Sequence, residues 1–150
     1  MNTKADVRAF LDRRNIALAG VSRDTNAFSA RVFEALKRKG YRLYAVNPKA
    51  ASIGGEPCYP TLSSIPTRPG GVLLFTPPIE TLSVVQEAYE LGIRHVWIQQ
   101  GADSAEAVAF CASHDMKSVT RLCILMFAEP IGFLHGLHRR FKRLLRTLPE

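Results

Sequence analysis

The sequence predicts an α/β fold in which a five-stranded, mostly parallel sheet lies between layers of helices. Two observations carry that expectation. Five short apolar runs, each bounded by turn residues, alternate with amphipathic stretches of helical length, the order that a parallel sheet with right-handed crossovers requires. The runs are also continuous rather than alternating in polarity, which suits strands covered on both faces. The chain has 150 residues, 47% of them apolar, enough for one domain with one continuous core. At this size about 68–70% of the unfolded surface is buried, without help from disulfides or a structural metal.

The elements follow in order. Residues 3–14 form a flanking N-terminal helix, and residues 16–21 (IALAGV) the first strand. Residues 29–39 place Val32, Phe33 and Leu36 on one face and Arg31, Lys37 and Arg38 on the other. That pattern is a helix, with Gly40 behind it where a left-handed cap is preferred. Residues 41–46 (YRLYAV) and 72–75 (VLLF) supply the second and third strands. Residues 81–91 repeat the amphipathic pattern and end at Gly92. Residues 96–99 (VWIQ) are the fourth strand, 104–114 a shorter helix with Ser104 as its N-cap, and 118–124 (SVTRLCI) the fifth strand.

The tail differs in character. Leu134, Leu137, Phe141, Leu144, Leu145 and Leu148 recur at helical spacing among Arg139, Arg140, Lys142, Arg143 and Arg146, so residues 131–148 read as a basic amphipathic helix. Its apolar stripe is expected to pack on the chain's own sheet or on a partner, either a second copy in a homodimer or another protein. An anionic membrane surface is the alternative. Nucleic acid is not expected, since only Phe133 and Phe141 could stack there and no RNA- or DNA-binding module is recognisable.

Composition narrows the function classes. The formal net charge of +7 points to an anionic ligand or surface. No run approaches the ~18 apolar residues of a membrane span, and the charged N-terminus lacks a signal-peptide core, so a soluble, cytoplasmic protein is expected. Cys58, Cys111 and Cys123 are scattered and odd in number, which fits neither a zinc nor a disulfide framework. His135 and His138 share a helix face but supply only two nitrogens, too few for zinc. No nucleophile with an adjacent base is evident, so no catalytic residue is assigned.

In a parallel sheet, ligands sit beyond the carboxyl ends of the strands. The first such loop carries Gly20, Ser22 and Arg23 and leads to Ser29 at the start of a helix, where free amides favour an anion. The glycine triplet of dinucleotide binders is absent, leaving a phosphate cradle and a plain turn both open. After the second strand comes Asn47-Pro48-Lys49, with no acid to bond a ribose. This counts against NAD and leaves room for a phosphate, although Asn-Pro is also an ordinary turn initiator. Arg31, Lys37, Arg38, Lys39 and Arg42 lie nearby in sequence, with Arg23 and Lys49 the first choices as phosphate partners.

G-x-S after the first strand, V-N-P after the second, Thr76-Pro77-Pro78 after the third and W-I-Q-x-G after the fourth resemble the small, single-domain CoA-binding proteins, from about residue 14 to 127. That family is related to the nucleotide-binding part of succinyl-CoA synthetase and other acyl-CoA ligases. The resemblance implies a Rossmann-like domain holding CoA with its phosphates over the first loop and its adenosine end near the second and third. It carries over Gly20, Ser22, Arg23, Ser29, Asn47, Pro48, Lys49, Thr76, Pro77, Gln99 and Gly101 as cofactor-binding residues, with Cys123 where the family commonly has a cysteine. It also implies a binding or regulatory module without stand-alone catalysis, since the related ligases work through further domains. A small NADP-dependent oxidoreductase and a scaffold acting through its basic tail are the alternative readings.

Overall fold

The computed structural model describes residues 2–128. The expected tail helix and its histidines lie outside the described residues. Four helices, α1 (Lys4–Leu11), α2 (Phe28–Arg38), α3 (Pro78–Glu90) and α4 (Ala105–Ser113), alternate with the strands. The five expected strands are present as β1 (Asn15–Ala19), β2 (Arg42–Val46), β5 (Gly71–Leu74), β6 (His95–Gln99) and β7 (Lys117–Leu122). The sheet, however, has seven strands rather than five, because β3 (Ser52–Ile53) and β4 (Glu56–Tyr59) form a hairpin on its edge.

That hairpin falls between the second and third expected strands. Its turn is Gly54-Gly55, both at positive φ (56° and 77°), the backbone that a two-residue hairpin demands. Neither strand is an apolar run, and Pro57 is tolerated because it sits near an edge.

The strand order is β3-β4-β2-β1-β5-β6-β7, parallel throughout except for the β3–β4 pair. The central strands are buried on both faces, as their continuous apolar runs require. Ile16, Leu18, Leu73 and Trp97 pack toward α1 and α2, while Ala17, Ala19, Val72, Leu74, Val96 and Ile98 pack toward α3 and α4. Trp97 is fully buried, donates from its indole N–H to the Leu122 carbonyl (3.0 Å), and packs against Phe10 and Phe127. The β7 edge is closed by Asn2, whose side-chain amide exchanges two hydrogen bonds with the Thr120 backbone, removing groups that would otherwise template another strand.

Because each of the four described helices precedes a parallel strand, their C-termini all point to the end of the sheet opposite the strand-exit loops. Basic side chains gather there. Arg13 donates to the Ala9 carbonyl, Arg14 to that of Lys39, Arg94 to those of Tyr89 and Ile93, and Lys39 to that of Ala128. Cations satisfy unpaired carbonyls and the negative end of the helix dipole. Lys39 is partly buried by this contact, which lowers its pKa.

His95 stands at the same pole. Its Nδ1 is buried without a partner among the described residues. Burial first, then the positive charges of Arg13 and Lys117, depress its pKa below the usual histidine value. The folded state therefore holds this proton less tightly than the unfolded chain does, and the stability present above about pH 6.5 falls as pH drops below it. Urea midpoints at pH 7.5 and pH 5.5 should show this decline in the native protein and a smaller one in His95→Gln.

Candidate functional site

The order of the sheet reverses at β1, from which the chain passes first to β2 on one side and later to β5 on the other. The crevice at such a switch point is bounded by the N-termini of helices on opposite faces, here α2 and α3. Gly20 leaves β1 at φ +83°, and a Cβ there would lie 2.9 Å from the Thr76 backbone nitrogen and 3.0 Å from the Phe75 carbonyl carbon. The glycine is thus required by the approach of two strand exits, whatever the loop binds.

Beyond it, the Ser22 backbone N–H donates to Ser29 Oγ (3.0 Å), while Ser22 Oγ accepts from the Asp24 amide and Asp24 Oδ1 from that of Asn26. The loop is wound on itself. The Ser22 amide is therefore engaged within the protein, and the open donors lie one step on. Ala27 caps α2 with no side-chain acceptor, and the Phe28, Ser29 and Ala30 amides have no partner among the described residues. An uncapped helix start of this kind presents partial positive charge and free N–H groups to an anion.

Asn47 performs a different task from direct contact. Its Nδ2 donates to the Val21 carbonyl (2.8 Å), its Oδ1 accepts from the Lys49 amide (2.8 Å), and its own N–H donates to Tyr59 (2.9 Å). One side chain thus fastens the first loop to the second, leaving Pro48 and Lys49 exposed at the surface. Arg23 is likewise exposed, and neither it nor Lys49 forms an ion pair among the described residues.

The other cations near the first loops in sequence lie elsewhere in space. The α2 helix runs away from the crevice, so at about 1.5 Å per residue its last turn sits at the opposite pole, with Arg38, Lys39 and Arg42. Lys37 pairs with Glu56 at 2.7 Å on the rim of a groove of about 270 Å³ that is also lined by Tyr41, Tyr44 and Tyr59. Only Arg31, near the start of α2, and the chosen pair, Arg23 and Lys49, remain toward the crevice.

The third and fourth loops are joined by a residue that motif reading missed. Thr81 is fully buried. Its Oγ1 lies 2.8 Å from Thr76 Oγ1 and 2.8 Å from the Ala102 carbonyl. Thr76 is buried, while Pro77 begins the exposed rim of α3. The only sequence signal for Thr81 was a polar residue on the apolar face of its helix.

Gln99, at the end of β6, is 2% exposed, and its Oε1 accepts the Ile124 amide (3.2 Å). A β-bulge at this point places Leu122 rather than Arg121 opposite it, with Arg121 at φ 59° and its N–H held by Asp103. Gly101 needs its φ of +97°, although a Cβ there would meet open space. Cys123 is half-buried, directly before the short 3₁₀ turn Ile124–Met126. The other two cysteines are kept as thiols by burial, which raises the Cys58 pKa and pushes that of Cys111 up to about 11. Among the described residues no group of three or more His, Cys, Asp or Glu is placed to hold a metal ion, and no helix is long and apolar enough to cross a membrane.

Helices on both faces of a mostly parallel sheet, with four loops meeting at its switch point, define a doubly wound α/β domain. The chain belongs to the CoA binding domain family, whose model matches residues 14–129. A hypothetical protein from Pyrococcus horikoshii OT3 is 30% identical, with a TM-score of 0.79 over 94% of this chain and 93% of that one. A conserved hypothetical protein from Pyrococcus furiosus is also 30% identical, with a TM-score of 0.71 over 75% of this chain and 97% of the other. The fold recurs in the dinucleotide-forming acetyl-coenzyme A synthetase 1 of Ca. Korarchaeum cryptofilum, at 22% identity and a TM-score of 0.60, over 69% of this chain and 25% of that protein.

Two substitutions test this construction. Gly20→Ala combines positive-φ strain with a backbone clash and should cost about 2–4 kcal/mol of stability in a denaturant titration. Thr81→Val strands the buried Thr76 hydroxyl and Ala102 carbonyl and should cost about 1–3 kcal/mol, most of it restored by Thr81→Ser.

Proposed function

We propose that this protein binds CoA in the crevice at the β1/β5 switch point, as a ligand-binding or regulatory module without catalysis of its own. The observation that carries the reading is the uncapped start of α2, with three open amides beside unpaired Arg23 and Lys49, in a chain whose family is that of CoA binding domains. CoA brings a diphosphate and a 3′-phosphate. Amides suit the first, and exposed cations at the loop tips suit charged groups nearer solvent. In this reading Gly20, Ser22 and Asn47 shape the cradle, Ser29 offers its amide and hydroxyl, and Thr76 and Pro77 border the adenosine end. Gln99, Gly101 and Cys123 border the thiol end.

The absence of an acid after β2 counts against NAD but would equally tolerate the 2′-phosphate of NADP. Melting curves with CoA, NADP and ATP separate these readings. A ligand at ~100 times its dissociation constant adds about 2.7 kcal/mol of stability. Stabilisation is expected with CoA, and weaker stabilisation in Arg23→Ala and Lys49→Ala at equal ligand concentration, with the deficit shrinking as salt rises. Stabilisation by NADP and not by CoA would reverse the assignment.

A further inference from the structure

The large apolar side chains exposed among the described residues are Phe28 (49%), Ile79 (91%) and Met126 (46%). All three stand at the ligand end of the sheet, each at the first, second or third position of the element that follows a strand: α2 after β1, α3 after β5, and the Ile124–Met126 turn after β7. A random scatter of surface hydrophobes needs no explanation, but their collection around one crevice does.

Two of them share a side. Phe28 stacks edge to face on Phe75, with ring centroids 6.2 Å apart, and Phe75 is the residue that leaves β5 beside Gly20. The segment carrying Met126 is pinned at one end by Gln99 Oε1 to the Ile124 amide, and at the other by Lys39 to the Ala128 carbonyl. Gln99 ends β6 at the crevice, and Lys39 caps the far end of α2, so this segment runs alongside α2 on the face where Phe28 begins it. Phe75 and Phe28, in ring contact beside Gly20, and Met126, exposed on the segment that follows Cys123, thus lie on one face of the sheet at its strand-exit end, and together they mark out an apolar border between the first loop and Gln99.

We propose that this border receives the acyl group of an acyl-CoA with an apolar chain, so that the protein prefers medium-chain acyl-CoA over free CoA. The inference rests on the CoA reading above. Phosphates have no use for this surface, since two aromatic rings and a thioether offer no donors. An acyl chain extending from the thiol end, by contrast, would find apolar surface there to cover. Gln99 contributes the polar part. Its Oε1 is occupied by the Ile124 amide and its Nε2 has no partner among the described residues, so the amide can donate to a carbonyl at that end, the thioester oxygen included.

Isothermal titration with CoA, acetyl-CoA, butyryl-CoA, hexanoyl-CoA and octanoyl-CoA, below micelle-forming concentrations, tests the proposal. Each methylene fully covered is worth roughly fourfold in affinity, so partial cover should give a rise of about two- to fourfold per added carbon pair, and octanoyl-CoA should bind at least tenfold more tightly than CoA. Met126→Gln should flatten that rise while leaving the affinity for free CoA unchanged, and Met126→Leu should restore it. If CoA binds and the series is flat in the native protein, the acyl border is wrong and the CoA reading stands. If the rise persists undiminished in Met126→Gln, the chain lies elsewhere and the proposal fails. If neither CoA nor any thioester binds, both readings fall together.

Discussion

The exit of β1 leaves no room for a side chain, and the strand-exit end of the sheet is built around that fact. Gly20 turns away at φ +83° with the Phe75–Thr76 backbone less than 3.3 Å from where a Cβ would be. The contact brings the loop after β1 against the loop after β5. Those two strands flank the reversal in strand order, so the contact also sets how far apart the α2 and α3 N-termini can stand. A methyl group here would push the loops apart, and the crevice would lose its floor. Two side chains extend the same clamp outward: Asn47 ties the first loop to the second, and Thr81 ties the third to the fourth. Both carry out through side-chain hydrogen bonds what Gly20 does through close packing.

In the CoA reading, this separates residues that build the site from residues left open to a ligand. Gly20, Asn47 and Thr76 sit in motif positions, yet each is fully engaged with the protein. At the start of α2 the amides of Phe28, Ser29 and Ala30 are open, and the exposed heads of Arg23 and Lys49 form no ion pair among the described residues. A motif therefore records the scaffold as much as the contact. The loop's own geometry adds a constraint: Ser22 Oγ accepts the Asp24 amide and Asp24 Oδ1 accepts the Asn26 amide, so two successive side-chain turns fix the path from Arg23 to the start of α2.

The central strands and four helices were legible because each obeys a simple period: continuous apolar runs for doubly covered strands, and a 3.6-residue stripe for the helices. The edge hairpin was not, since Ser52–Ile53 and Glu56–Tyr59 are too short and too polar to register as apolar runs. Its one strong signal, Gly54-Gly55 between short flanks, is a turn rule rather than a hydrophobicity rule. In the site, loop positions followed from strand ends, but the function of Asn47 and Thr81 depends on partners far away in sequence, at Val21 and Ala102. No local pattern encodes such a pairing.

The net charge of +7 takes on a different meaning once its members are placed. Arg13, Arg14, Lys39 and Arg94 bond carbonyls at the pole where helices end, and Lys37 is neutralised by Glu56. These charges offset the negative ends of aligned helix dipoles, a requirement of the architecture that any parallel α/β domain faces. The same dipoles present their positive ends at the opposite pole, where α2 begins without a cap. Basic side chains at one end therefore leave the anion-binding potential of the other end to the backbone, and a site for phosphate needs few cations of its own. Two exposed ones, Arg23 and Lys49, are consistent with that economy. It also explains why cations clustered around the first two strands in sequence divide between opposite ends of the fold.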